Sequence, residues 1–260
     1  MKIAIVGTRG VSVRYSGIET SINEVSKQLA EKGHKIIVYC RKIKDRKTQT
    51  QSLNNIELAY IPTANSKHFG TFIHVFLSTL HLLFSDIDIV HFHALGPSLF
   101  SFLPRVFGKK TIVTVHGLDW KRKKWKYAAR LFLRLCEYPS IYFPNKTIAV
   151  SKNLKDYLEN KYKRNVYYIP NGVDVFPEHI EEHENINARA YIFFIGRLVP
   201  EKGIHYLIKA FRELNTGMKL IIAGESSFTD DYVSYLHSIS GPNVDFLGFV
   251  ETEKVWELYK

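Results

Sequence analysis

Two cations five residues apart stand on one strand-to-helix turn, Gly196-Arg197-Leu198-Val199-Pro200-Glu201-Lys202-Gly203. Arginine offers a planar fork of donors and lysine a point charge. A helix N-terminus adds unpaired N–H groups, so the turn suits a diphosphate. Pro200 fits a first helical turn. The plainer alternative is a pair of solvated loop cations. His116-Gly117 follows the apolar run Thr111–Val115. Ligands of open α/β sheets sit outside the carboxyl ends of strands, where this imidazole would meet a substrate. A hydrogen-bonded loop histidine is the alternative. Gly17 opens a helix after the turn Gly7-Thr8-Arg9-Gly10 and would let a ligand approach the helix end, whereas Ser16 and Glu19 have the spacing of a capping box. His91-x-His93 lies on one face of a strand, so a metal is conceivable. No cysteine or carboxylate cluster accompanies the pair, which favours a polar cleft rim and no metal.

These residues need a scaffold of alternating strands and helices, and the hydrophobic periodicity supplies one. Strands are expected at 3–6, 35–39, 56–61, 87–92, 111–115, 147–150 and 166–169. Helices are expected at 17–31, 69–84, 97–106, 120–138 and 151–161. A second series has strands at 191–195, 219–223 and 244–246, and helices at 201–214, 230–238 and from 252 onward. The turn chemistry of Pro170-Asn171-Gly172 and the polar stretch to residue 190 mark a linker. The reading is α/β: a Rossmann-like domain over 1–170, a linker over 171–190, and a partial Rossmann-like domain over 191–260. Three strands are fewer than the five or six of a doubly wound domain, so the second domain is expected to be truncated.

A chain of 260 residues with 45% hydrophobic and 13% aromatic content is globular. Its net charge of +11 favours anionic partners: nucleic acid, an anionic membrane or a phosphorylated substrate. No nucleic-acid motif accompanies the charge, so no nucleic-acid partner is expected. The densest basic run is Lys121 to Lys126, either a solvated face or a peripheral membrane contact. Residues 69–84 carry no Asp, Glu, Lys or Arg but are short for a membrane span, which predicts a buried core helix. Cys40 and Cys136 have no metal or redox spacing, and no signal peptide opens the chain, so a cytoplasmic setting is expected.

The order of motifs resembles glycosyltransferase family 4 of the GT-B type. It runs from a glycine-containing first loop through HG after the fifth strand, AVS, IPNGVD and GRLVPEKG to LIIAGE. The strings TRGVSVRYSGIET and HGLDWKRKKW look like a branch containing rhamnosyltransferases of bacterial polysaccharide assembly. The resemblance implies a retaining transfer from a nucleotide-sugar, with no cofactor or metal, to a lipid-linked acceptor. It implies that Arg197 and Lys202 bind the donor diphosphate and that His116 contacts the donor sugar near the reacting carbon. Gly17 would approach the phosphate and acceptor, while Gly196 and Gly224 would let the nucleotide pack on strand ends. Ser16 stands where many members have a further glycine. The family's E-x7-E motif is absent from these 260 residues. The chain as given is therefore expected not to turn over usefully. A non-catalytic acceptor- or membrane-binding fragment is the alternative. A nicotinamide enzyme is disfavoured by the missing G-x-G-x-x-G and the missing acid after strand two.

Overall fold

The computed structural model describes residues 1–8, 17–41, 55–63, 69–122, 125–172, 191–226 and 229–259. The chain divides into two compact units, Met1–Asp174 and Val175–Lys260. Arg9, Gly10, Ser16, Lys123, Lys124 and most of the expected linker lie outside the described residues, so the proposed capping serine does too.

The first unit is built on seven parallel strands, β1 (Lys2–Val6), β2 (Lys35–Arg41), β3 (Ile56–Ile61), β4 (Ile89–His93), β5 (Lys110–Val115), β6 (Lys146–Ala149) and β7 (Tyr167–Tyr168). Their order in the sheet is β3-β2-β1-β4-β5-β6-β7. The strand order reverses between β1 and β4, and such switch points open a crevice at the carboxyl ends. The strands are apolar on both faces because both faces are covered. Ile3 and Ile5 of β1 pack with Ile22 and Ala30 of α1 (Gly17–Glu31), whereas Ala4 and Val6 pack with Val75 and Leu82 of α2 (Phe69–Leu83).

Helix α2 differs from the buried core helix expected of it. Its inward face carries His74, Ser78 and Thr79 beside Val75 and Leu82, all buried. Its outward face carries Phe72, Phe76, Leu77 and Leu80, and Phe84 just beyond its end is 88% exposed. An uncharged run shows that a helix avoids charge, not which side faces the sheet. Phe72 lies 4.9 Å from Phe100 and 6.3 Å from Phe132 between ring centroids, so the stripe adjoins neighbouring aromatics.

Between β4 and β5 the expected single helix is two short ones, α3 (Leu95–Ser98) and α4 (Phe102–Val106). The expected basic helix over 120–138 is likewise broken. Asp119–Lys121 form a 3-10 turn closed by an Arg122–Asp119 ion pair at 3.2 Å, and α5 (Tyr127–Leu135) begins only afterwards. Glu137–Tyr142 form α6, and no residue of α5 is buried. Ser151 caps α7 (Lys152–Tyr162) by accepting a hydrogen bond from the Leu154 N–H, a standard N-cap.

The second unit has three parallel strands in the order β10-β9-β8, with β8 at Tyr191–Ile195, β9 at Lys219–Ala223 and β10 at Val244–Gly248. Its described helices are α8 (Ile204–Leu214), α9 (Asp230–Ile239) and α10 (Thr252–Leu258). Its core joins Ile204, Ile208 and Phe211 of α8 to Leu220, Ile222 and Leu236.

Candidate active site

In the first unit the carboxyl ends of β4 and β5 bring three histidines together. Parallel pairing sets His93 opposite Thr114, so His91 and His93 on one strand meet Thr114 and His116 on the next. His91 Nε2 lies 2.7 Å from Thr114 Oγ1, and His93 Nδ1 lies 3.0 Å from His116 Nε2. The His93 and His116 rings stack with centroids 5.3 Å apart. Burial pushes the His116 imidazole down to about 4, and the Arg122 guanidinium adds to the effect. Burial, with a smaller push from His116, holds His91 at about 4 as well. His93 is held well below its ordinary value by burial and by both neighbouring imidazoles. All three rings are neutral at pH 7.

Gly7 packs beneath this cluster. Its φ of +102° is one that L side chains rarely adopt, and an added Cβ would stand 2.6 Å from the His93 carbonyl oxygen. Gly17 is the first residue of α1, and among the described residues nothing lies within 4 Å of a Cβ added to it. The turn after His116 is anchored from below by Glu137. This fully buried carboxylate accepts from Trp120 Nε1, from Lys161 Nζ at 2.5 Å and from the Tyr162 hydroxyl at 2.8 Å.

In the second unit the turn after β8 differs in detail from the expected helix start. Pro200–Lys202 form a 3-10 turn, and Gly203, at φ +70°, reverses the chain into α8. Proline at its first position favours that turn, and the left-handed glycine separates it from the helix. Arg197 is half-buried and Lys202 exposed. Among the described residues neither is in an ion pair. The turn is held against the end of β9. The Leu198 N–H donates to the Glu225 carbonyl at 2.9 Å, and Thr229 Oγ1 donates to the Leu198 carbonyl at 2.7 Å. Gly224 has a structural reason to be glycine: a Cβ there would lie 1.9 Å from the Gly196 carbonyl oxygen.

Sequence reasoning singled out His116, Arg197 and Lys202, but not the His93–His116 contact, Arg122 beside His116, or Glu137. The His pair was within reach: His93 ends one strand, His116 follows the next, and adjacent parallel strands in this fold place such ends side by side. The Glu137 anchor had no such signal, because its partners are scattered from Trp120 to Tyr162. Among the described residues no group of three or more His, Cys, Asp or Glu is arranged to hold a metal.

The model of Glycosyltransferase Family 4 matches residues 15–175, and that of Glycosyl transferases group 1 matches residues 175–260. An uncharacterized glycosyltransferase of Methanocaldococcus jannaschii is 25% identical over the whole chain, which spans 72% of that protein. The capsular polysaccharide biosynthesis glycosyltransferase CapM of Staphylococcus aureus is 30% identical over 51% of this chain and 40% of its own length. Among solved structures, sucrose-phosphate synthase from Thermosynechococcus elongatus matches all of the chain and 73% of its own, with TM-score 0.79 and 16% identity. Anabaena HepE in complex with UDP and glucose matches 99% of the chain and 71% of its own, with TM-score 0.71 and 17% identity. Those likenesses show the fold, two Rossmann-like units of the GT-B type. With its family model matching residues 15–175, more than half of the sequence, the chain belongs to Glycosyltransferase Family 4.

Proposed function

We propose that the chain takes part in retaining transfer of a sugar, rhamnose in our reading, from a nucleotide-sugar to a lipid-linked polysaccharide acceptor. The observation that carries the donor side is the Arg197–Lys202 turn. It offers two cations outside any described ion pair, on a loop fixed by backbone hydrogen bonds to the end of β9. HepE, of the same fold, is described with UDP and glucose, which supports a nucleotide-sugar as the ligand class. CapM supports polysaccharide assembly as the setting. The branch resemblance in TRGVSVRYSGIET and HGLDWKRKKW is what supports rhamnose.

In this reading Arg197 and Lys202 bind the diphosphate and stabilise the charge that grows on it as the sugar departs. His116 meets the sugar. Gly17 keeps the start of α1 open to phosphate and acceptor. Gly196 and Gly224 keep the strand ends flat for the nucleotide. No metal or cofactor is required by that scheme. The basic run Lys121 to Lys126 brings the first unit to an anionic membrane, where a lipid-linked acceptor would be presented.

The test is calorimetric titration of the chain with UDP-glucose and with a nucleotide-rhamnose. Arg197→Ala and Lys202→Ala should each weaken binding by roughly 1.5–3 kcal/mol, the range for hydrogen bonds to charged groups. Undiminished affinity in both variants rejects the assignment. In a chain extended through the E-x7-E segment, His116→Ala should leave affinity nearly intact and lower turnover, because it removes a sugar contact and not a phosphate contact.

A further inference from the structure

Glu137 is the first residue of α6 and is fully buried, a place where a carboxylate persists only with partners on its oxygens. Three of those partners come from α7: Lys161 Nζ at 2.5 Å, the Tyr162 hydroxyl at 2.8 Å and the Tyr157 hydroxyl at 3.3 Å. They tie α6 to α7. Among the described residues, Trp120 Nε1 is the partner that lies outside both helices. An indole N–H only donates, so this bond runs one way, from the turn after His116 to the carboxylate.

The turn that carries Trp120 is weak by itself. It is a single 3-10 turn, closed by the Lys121 N–H on the Leu118 carbonyl at 2.9 Å and the Arg122 N–H on the Asp119 carbonyl at 3.1 Å. So short a run fixes several dihedrals for few hydrogen bonds. The Arg122–Asp119 ion pair is partly solvated and adds little. Trp120 itself is held more firmly. Besides the Glu137 bond, Lys121 Nζ and Arg134 Cζ each lie 5.5 Å from its ring centroid, and the ring packs against the core of the first unit.

We propose that Glu137 is a positioning residue acting through Trp120: its carboxylate pins the Asp119–Lys121 turn to α6 and α7 and so keeps Arg122 in place beside His116. His116 is set by β5 at one end and Trp120 by Glu137 at the other, which leaves the backbone between them little freedom. The guanidinium of Arg122 then adds its charge to the burial that keeps the His116 imidazole neutral. This role of Glu137 does not depend on sugar transfer; that the turn serves a donor site rests on the function proposed above.

Trp120→Phe keeps an aromatic ring in the core and removes the N–H, leaving Lys161, Tyr157 and Tyr162 on Glu137. Tyr162→Phe removes a different partner of the same carboxylate and controls for a general loss of stability. In amide exchange followed by NMR, Lys121 and Arg122 should lose protection roughly tenfold or more in Trp120→Phe, the scale of one hydrogen bond to a charged group. They should keep it in Tyr162→Phe. The titration midpoint of His116, assigned with His116→Ala, should rise in Trp120→Phe and not in Tyr162→Phe. The released guanidinium no longer adds to the lowering by burial, while His91 and His93 on β4 stay in place. Unchanged exchange at Lys121 and Arg122 in folded Trp120→Phe overturns the proposal, because packing alone then holds the turn. Equal loss of protection in the two variants overturns it as well. In the unaltered chain, a Trp120 indole N–H that exchanges at the rate of a free indole does the same, whether or not either variant folds. Addition of UDP-glucose tests the other reading. His116 resonances that stay still at saturation, with exchange at the turn as expected, remove the donor contact and leave the positioning role standing.

Discussion

A histidine that is neutral when folded and cationic when unfolded ties stability to pH. Four imidazoles are of this kind: His74, His91 and His116, each pushed down to about 4 by burial, and His93, held well below its ordinary value by burial and its two neighbouring rings. Above about pH 6.5 neither state binds the proton and the effect vanishes. As pH falls from about 6.5 towards 4 the unfolded chain takes up protons that the folded chain refuses, so stability is lost across that window. Thermal melts should be flat from pH 7 to 8 and fall steeply from 6.5 to 4, and replacing His74 by Leu should shallow the slope. A melting temperature independent of pH across the window would show that these rings are solvated. The Glu137 anchor makes a second prediction. Glu137→Ala leaves Lys161 and two tyrosine hydroxyls without their carboxylate, and losing such buried hydrogen bonds costs roughly 1–3 kcal/mol. Chemical denaturation measures that loss directly. His116 and Arg197 were legible from position alone, because each follows an apolar strand. The Glu137 anchor was not, since its partners are scattered from Trp120 to Tyr162.

At the level of elements, most strands and helices follow hydrophobic period closely, and α1 and β3 have the predicted bounds. The misreadings fall where polar or charged residues are locally constrained. Trp120 is tied to Glu137 and Arg122 to Asp119, so Asp119–Lys121 form a tight 3-10 turn and the helix begins only at Tyr127. Helix α2 was misread for a different reason: its polar residues point inward and its phenylalanines outward. Residues 69–85 and 89–118 contain no Asp or Glu, and between Asp119 and Glu137 there are seven Lys or Arg and no acid. An outward aromatic stripe near acid-free, basic segments suits an anionic bilayer. Binding to vesicles containing anionic lipid should exceed binding to neutral ones, by about 1 kcal/mol for each lysine near the surface. Phe72→Ser with Phe76→Ser should weaken flotation even with all lysines present. Flotation indifferent to lipid charge would assign the basic run to solvent.

At the scale of the whole chain, the two units are unequal. Among the described residues the first has a seven-stranded sheet covered on both faces, and the second a three-stranded sheet and one small cluster. A smaller buried core supports less stability, so calorimetry of the chain should show the second unit melting first, with hydrogen exchange fastest in β8 to β10. One concerted transition would mean that the units stabilise each other. The division into two α/β units was plain from the polar break near residue 170 and the restart of strand–helix alternation, and it follows from composition as much as from periodicity. The exposed stripe of α2 also bears on how the chain is made. Everything on α2, α4 and α5 lies before residue 136. With residues 136–260 still to be added at roughly 5–20 residues per second, those aromatics are synthesised roughly 6–25 seconds before translation reaches residue 260. During that interval the nascent chain presents to the cell, ahead of the Arg197–Lys202 turn, the segments richest in outward phenylalanine, and whatever first covers them meets a protein that has not yet acquired its second unit.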